Sequence, residues 1–468
     1  MFSIYIHIPF CKTKCNYCNF QVCPLDKMKS EMIQPELEKY TNQIISDIKK
    51  YSEILDDKEV KSIYFWGWTP QLIWLENIEK ITDTIIQYFD TENLWEFSIE
   101  MNPYPKEEVY HIVQSLTQRY REFSRVRFSF GIQSFENKML SASWRDITFP
   151  WIVDFLRDLQ PLKKDNNVFN LDFIAFGYFN KSKTWNYQLR NPTAMNFFQT
   201  LATSKFIDSY SLYTLELFPW SLRYYNEKKK SHPEQSEGSN LEELQEYWDQ
   251  DDVYEEFAIL KDILLDAWYK RYEISNFSLL WKSSVHNRTY REMWDYLWLG
   301  TSASSFFKKP DSKLCSLLNI PNDTKAVRRT NILEFQKFYS SQSENDIIPM
   351  TDKDLLIEEF FLWLRTDNWI KNIKKYESVL VPNYDEKIKS YSDQLFIEIL
   401  NDWMRFTDQW MDIYNDTFGT VLLPLLAASF LRASSSFLRA SSMACAMMRS
   451  ISRLSASTCL RLVSSSFW

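Results

Sequence analysis

The sequence predicts an α/β protein: an incomplete (β/α)6 barrel of the TIM type, followed by a smaller, mostly helical C-terminal domain. Three observations predict it. Short apolar stretches rich in β-branched and aromatic residues alternate with helical patterns over residues 1–310. Six such stretches follow one another, the arrangement that builds βαβ units and a parallel sheet. From about Ile332 to Thr417 helical patterns dominate.

The expected strands are Ser3–Ile8, Val60–Phe65, Phe97–Glu100, Val126–Gly131, Phe169–Ile174 and Ser209–Leu215. The expected helices between them are Pro35–Tyr51, Leu75–Phe89, Lys106–Gln118 and Ile152–Leu159. A charged, polar stretch at 226–252 reads as an exposed loop or insertion. Residues 308–324 read as a linker, which makes 1–310 one domain and 325–417 a second. Residues 419–468 break with the rest of the chain. They hold five Arg and no Lys, Asp, Glu, Asn or Gln, and repeat Ser-Phe-Leu-Arg-Ala-Ser-Ser from Ser429 and Ser436. Two readings fit: an Arg-bearing amphipathic helix that meets a membrane or partner, or a non-native or disordered tail. Composition shifts of this kind mark segments outside a core, which favours the second.

A chain of 468 residues has length for two to four domains and a large core. With 54 Lys and Arg against 62 Asp and Glu, its net charge is −8, the wrong sign for a general nucleic-acid binder. No apolar run reaches the roughly 20 residues that span a bilayer. The first ten residues lack the charged start of a signal peptide. These features lead to the expectation of a cytoplasmic protein without a transmembrane segment. One figure is abnormal: 18 Trp and only 6 Gly, where average usage gives about 33 Gly. Either the protein avoids glycine, or some of these tryptophans are not tryptophan in the living protein.

Three of the seven cysteines form Cys11-x-x-x-Cys15-x-x-Cys18, directly after the first strand. In a reducing compartment clustered cysteines are metal ligands before they are disulfides. Zinc would need a fourth ligand, which His7 or Cys23 could supply. A [4Fe–4S] cluster on three cysteines would leave one iron open, and the spacing favours it. Cys315, Cys445 and Cys459 are scattered and read as ordinary cysteines.

This motif resembles that of the radical S-adenosylmethionine (SAM) superfamily. The fuller string Tyr5-Ile-His-Ile-Pro-Phe-Cys11 to Cys18-Asn-Phe20 is similar to one branch, the oxygen-independent coproporphyrinogen III oxidases and related heme chaperones. Further motifs follow in family order to about residue 417. Among them are Thr69-Pro70, Glu100-Met-Asn-Pro103, Ser129 to Phe135, Asn170-Leu-Asp172, His286-Asn287-x-x-Tyr290 and Leu364-Arg-Thr366. The match weakens after Asp172, around Phe176-Gly177-Tyr178.

The resemblance implies that Cys11, Cys15 and Cys18 hold a [4Fe–4S] cluster and that SAM chelates its open iron. An electron passed into the sulfonium would then generate a 5′-deoxyadenosyl radical. It implies SAM contacts for Tyr5, Gly67, Trp68, Thr69 and Glu100. Gln133, Arg145 and Asp172 are implied to touch a second SAM or the substrate end. Phe10, Tyr17 and Phe20 line the adenine pocket or belong to the core. His286 is implied as a heme ligand or as a hydrogen-bonded loop histidine. No residue is assigned a catalytic role. Two functions compete: a heme chaperone serving heme-acceptor proteins, and an oxidase that decarboxylates a porphyrinogen with an electron donor. The oxidase branch carries a fourth cysteine two residues after Cys18, where this chain has Phe20, and that favours the chaperone. A zinc-stabilised binding module is the third, weaker alternative.

The same comparison puts glycine of the family at Trp66, Trp68, Trp144, Trp268, Trp281, Trp294, Trp298, Trp363, Trp369 and Trp410. This explains the composition if the gene uses UGA for glycine and the sequence has it translated as Trp.

Overall fold

The computed structural model describes residues 1–411, except 16, 19–21, 68, 177–178, 181–187, 190–191, 216–249, 333–337, 340–345, 381–383, 394–396, 401–402 and 409–410. The tail at 419–468, Phe20, Trp68 and most of the 226–252 stretch lie outside the described residues. The chain divides into two compact units, residues 1–288 with 296–303 and 333–341, and residues 289–295 with 304–332 and 342–468.

The first unit alternates strand and helix. In chain order it holds β1 (Phe2–Ile8), α1 (Ser30–Ile54), β2 (Val60–Gly67), α2 (Leu75–Tyr88), β3 (Glu96–Met101), α3 (Lys106–Arg119) and β4 (Val126–Gln133). Next come α4 (Asn137–Ala142), α5 (Phe149–Leu159), β5 (Asn167–Ala175), α6 (Pro192–Ser204), β6 (Ser209–Thr214) and α7 (Gln250–Asp266). β7 (Lys270–Glu273), β8 (Asn276–Ser278), the start of α8 (Val285–Arg291) up to Arg288, and β9 (Tyr296–Leu299) complete the series. The sheet order is β7-β8-β6-β5-β4-β3-β2-β1-β9. β1 to β6 lie side by side in chain order, every neighbour parallel. This is the six-stranded part-barrel that the sequence predicts. Three further strands were not expected: β9 joins β1 in parallel, and β7 and β8 continue beyond β6 antiparallel. Each is three or four residues long, too short for a periodic signal.

The two faces of this sheet differ in chemistry. Phe2, Ile4, Ile6 and Ile8 of β1, Ile63 and Phe65 of β2, Phe97 and Ile99 of β3, and Phe128 and Phe130 of β4 are all buried. They share the face that meets the helices, where Phe130 packs edge-on against Phe155 of α5 at 5.5 Å. The helices answer with apolar stripes at helical spacing, such as Ile78, Ile81 and Ile85 of α2. Each such side chain contributes roughly 1.5–3 kcal/mol by burial. The alternate positions are polar and also buried: Ser3, Ser62, Glu96, Ser98, Arg127, Ser129, Asn170, Asp172, Ser209 and Ser211. A parallel sheet covered on both faces ordinarily reads as continuous apolar runs. Period-two alternation in buried strands therefore marks a polar inner face.

Toward the N-terminal end of the strands that face is bonded within itself. Ser62 donates to Ser3 Oγ at 2.8 Å, Arg127 to Ser209 Oγ at 2.8 Å, and Asn170 to Ser129 Oγ at 2.7 Å. Glu96, fully buried, accepts from Ser98 and Ser284 hydroxyls, from the Val285 and His286 amides at the start of α8, and from Arg125 at 3.3 Å. Burial opposes its charge, but Arg125, Arg127 and those two amides outweigh burial and hold the carboxyl below its usual range.

The second unit, expected to be mostly helical, also carries strands in its described residues. β10 (Ser304–Lys308), β11 (Ala326–Thr330) and β12 (Asp346–Met350) form an antiparallel meander. The stretch expected as a linker contains α9 (Ser312–Leu318). α10 (Asp352–Trp363) starts at a capping box in which Thr351 and Asp354 bond each other's backbone amides. α11 (Tyr384–Asp393), β13 (Ile397–Leu400) and β14 (Trp403–Phe406) complete it. No helix among the described residues is long and apolar enough to cross a membrane.

Glu96→Gln should cost about 3–5 kcal/mol at neutral pH, because it leaves the arginines facing no charge. A carboxyl held low stabilises the fold above its unfolded pKa, and that contribution is lost as pH falls through the folded one. Urea unfolding of the variant and the parent should therefore differ most near pH 7 and converge in acid.

Candidate functional site

The cysteine loop leaves the C-terminal end of β1, the end at which parallel strands of a barrel present their site loops. Two of the chain's six glycines allow this. Gly67 has φ +139° and pairs with Ile8; a Cβ there would lie 2.2 Å from the Ile8 carbonyl oxygen. Gly300 has φ +107°, and a Cβ there would meet Tyr40 Oη at 2.4 Å and the His7 carbonyl at 2.8 Å. The end of β1 is thus held between two close backbone approaches that only glycine permits. Beyond it, Phe10–Cys11 pairs with Cys23–Pro24. Phe10 is fully buried and packs edge-on against Tyr40 at 5.2 Å, which assigns it to the core.

Cys11, Cys15 and Cys18 are thiols outside any disulfide, in one tight loop where the Cys18 amide donates to the Cys15 carbonyl at 3.2 Å. Thr69 donates to Cys11 Sγ at 3.6 Å, which brings the Thr-Pro turn after β2 onto the cysteine loop. Burial and the neighbouring Cys15 raise the Cys11 thiol, while Thr69, Thr13 and Arg145 act the other way. Among the described residues no three His, Cys, Asp or Glu side chains are drawn into a metal-binding geometry.

Arg145, expected at the substrate end, lies against this loop. Burial works against its charge, yet Tyr17, Cys15 and Cys11 raise its pKa above the ordinary value. It also donates to the Gly131 carbonyl. Gln133 takes φ 71° and folds back over Gly131, where an added Cβ would meet its amide nitrogen at 2.8 Å. Glu100 and Asp172 lie close enough to repel. Burial first, and Asp172 second, push the Glu100 carboxyl well above its usual range, against the pull of Arg145. Asp172 accepts from Ser129 at 3.0 Å and Asn170 at 2.9 Å, and burial raises it as well. Glu100 Oε2 is buried and has no hydrogen-bond partner among the described residues.

Tyr5 lies on the same inner face, its hydroxyl bonded to His7 Nδ1 at 2.9 Å. Its ring is bordered by Trp298 at 4.4 Å, Trp66 at 6.0 Å, Tyr64 at 6.2 Å and His286 at 6.2 Å. His286 is 1% exposed, and its Nδ1 shares a hydrogen bond with Ser62 Oγ at 2.9 Å. Burial lowers its pKa to about 4, so the ring is neutral at physiological pH. A heme ligand needs an open approach to a ring nitrogen, and no edge of His286 reaches solvent in this arrangement. His286 ties the start of α8 to the inner face through Ser62, the hydrogen-bonded alternative of the two expected for it.

The residues present fit the group that their pattern implies. Three thiols share one loop beside the half-buried Arg145 guanidinium, and a buried Glu100 carboxyl oxygen without a partner among the described residues lies on the same polar face, suited to the cationic end of SAM. Residues 5–180 match the family model described as the radical SAM superfamily. Among curated proteins, the heme chaperone HemW of Lactococcus lactis is 24% identical over 437 residues, covering 90% of this chain and 97% of that protein. The HemW of Bacillus subtilis is 23% identical over 439 residues, covering 90% and 99%. The chain carries a radical SAM domain and is similar to HemW heme chaperones over most of its length. Among solved structures, coproporphyrinogen III oxidase (HemN) from Escherichia coli matches with a TM-score of 0.60 at 15% identity, over 88% of each chain. That likeness supports the same fold.

A radical SAM domain implies SAM and a [4Fe–4S] cluster, and Cys11, Cys15 and Cys18 are the residues that would hold the cluster. When bound, such a cluster supplies the electron that cleaves SAM. This chain's own contribution is binding and electrostatics. Arg145 offsets negative charge gathered on the cysteine loop. Glu100, whose carboxyl burial and Asp172 push well above its usual range, can release a proton to receive a cation. The structure therefore brings Tyr5, Thr69, Glu100, Gln133, Arg145 and Asp172 to the inner face or its C-terminal rim, while Trp68 lies outside the described residues. Sequence motifs missed Ser62, Tyr64, Glu96, Ser98 and Arg127. Their signal was present as polar residues at every second position of Ser62-x-Tyr64 and Glu96-x-Ser98-x-Glu100.

Anaerobic reconstitution should load about four irons and give a broad visible absorbance. Cys11→Ala, Cys15→Ala or Cys18→Ala should each abolish it, while Cys315→Ala should leave it intact. Stoichiometric zinc without visible absorbance would contradict the assignment. Glu100→Gln should act in two directions. A carboxyl raised by burial favours the fold below its unfolded pKa and loses that advantage as pH rises through the folded value. The variant should stabilise the empty protein by about 1–3 kcal/mol near pH 8, less near pH 5, and should weaken SAM binding. Thermal melts and SAM titrations across that range measure both effects.

Proposed function

We propose that this chain is a cytoplasmic heme chaperone that binds SAM on a [4Fe–4S] cluster, binds heme, and passes the heme to acceptor proteins. One observation carries the choice within the branch. After the third cysteine the chain reads Cys18-Asn19-Phe20, where the oxidases that it resembles have a fourth cysteine. Near-full-length similarity to relatives named heme chaperones supports the same reading. His286, the residue proposed to bind heme, is neutral at physiological pH as coordination requires, and it becomes a usable ligand only if the space around Tyr5 opens.

A second reading rests on a specific observation. Gln133, Arg145 and Asp172, which accompany radical chemistry in the family, are retained. A decarboxylating oxidase would use them with SAM, a porphyrinogen and an electron donor. The chaperone reading gives the same residues to SAM binding without turnover.

The two are separated by parallel assays on reconstituted protein. Heme titration, followed by absorbance, should show saturable binding that weakens in His286→Ala. His286→Gln, which can keep a bond to Ser62, separates loss of a ligand from loss of packing. Incubation with a strong reductant, SAM and coproporphyrinogen III should yield no protoporphyrinogen IX. Its formation at catalytic turnover would overturn the chaperone reading.

A further inference from the structure

Four tryptophans occupy backbone conformations that belong to glycine. Trp74, Trp144, Trp268 and Trp281 have φ of 63°, 59°, 68° and 64°. A bulky side chain in this region is a genuine outlier, because its Cβ crowds the neighbouring carbonyl. They make up four of the eleven non-glycine residues with positive φ among the described residues, although only 18 of 468 residues are Trp.

Hydrogen bonds show that the folds of these turns demand the conformation. After α4, the Trp144 amide donates to the Ser141 carbonyl at 3.0 Å and the Arg145 amide to Leu140 at 2.9 Å. After α7, the Trp268 amide donates to Leu265 at 2.9 Å and the Tyr269 amide to Leu264 at 2.9 Å. Both are Schellman pairs, whose left-handed residue is usually glycine. Trp281 is the third residue of a turn closed from the Lys282 amide to the Leu279 carbonyl at 3.0 Å. Positive φ at that position makes the turn type II, again a glycine place. Trp74, with φ 63° and ψ 152°, falls in a region that is essentially glycine's alone. The indoles return little packing: Trp268 and Trp281 are each 81% exposed.

We infer that the protein made by its own cell carries glycine at 74, 144, 268 and 281, through a codon decoded there as glycine. Trp144, Trp268 and Trp281 are also positions where the resembling family has glycine. Trp74 is not among those positions, so backbone geometry alone assigns it. The same decoding at Trp66 and Trp298 removes the two indoles that border Tyr5. The inner face beside Tyr5 is then open to a ligand rather than filled by side chains.

Peptide sequencing by mass spectrometry of the protein purified from its native cells tests this directly. Glycine is expected at all four positions, and Trp at Trp151, which lies within helix α5 and stacks on Phe155 at 5.5 Å. Trp at the four positions would overturn the inference. Full-length chains from synthetic genes give an independent readout. The chain with Trp74→Gly, Trp144→Gly, Trp268→Gly and Trp281→Gly should melt at a higher temperature than the all-Trp chain and than the matching four-alanine chain. Trp151→Gly should lower the melting temperature. A four-glycine chain less stable than the all-Trp chain would likewise count against glycine.

Discussion

A buried polar surface that must satisfy its own hydrogen bonds governs this fold. Apolar burial against the helices supplies the stability of the first unit, but it acts equally on any well-patterned parallel sheet. The inner face is different. Its serines, Asn170, Asp172, Glu96 and Arg127 are out of water, and each unmade bond there would cost about 1–3 kcal/mol. The parallel registers put Ser62 opposite Glu96, Glu100 opposite Ser129 and Gly131 opposite Asp172. A one-residue slip would carry these polar groups to the helix face. The network therefore sets strand register as strictly as the apolar face does.

The site follows from where that network stops. Toward the N-terminal end, Glu96 collects five donors and holds the start of α8. Toward the C-terminal end, Glu100 has a carboxylate oxygen with no donor among the described residues, and Asp172 repels it. Two carboxyls of the same strand thus have opposite protonation tendencies, because one faces arginines and amides and the other faces a second acid in low dielectric. The first is part of the scaffold, and the second is poised to bind a cation.

Glycine is the other scarce resource. Gly67 and Gly300 flank the end of β1, where backbone from two neighbouring strands approaches within reach of a single Cβ. The cysteine loop leaves from that point, so the placement of Cys11 depends on them. Turns at 74, 144, 268 and 281 require the same conformational freedom but bear indoles. The same constraint thus explains both the glycines retained and the tryptophans that fit poorly.

The sequence by itself determined the six parallel strands and their order, because strand-length apolar stretches separated by helical patterns admit few topologies. It also determined the cysteine triad and the radical SAM resemblance that the triad carries, because the spacing of thiols on one loop is a local property. Tertiary structure alone decided the rest. β7, β8 and β9 are too short to signal themselves and form only against a partner strand. The second unit's meander depends on antiparallel pairing between segments distant in sequence. Glu96 and Glu100 read alike in the chain, four residues apart on one strand, and only their neighbours from β4, β5 and α8 make one an anchor and the other an acceptor. His286 stands out in the sequence as a possible metal ligand, yet packing against Ser62, Tyr5 and Tyr64 decides how much of it a ligand can reach. Burial and charge at a site are sums over the whole fold, and no local run of residues contains them.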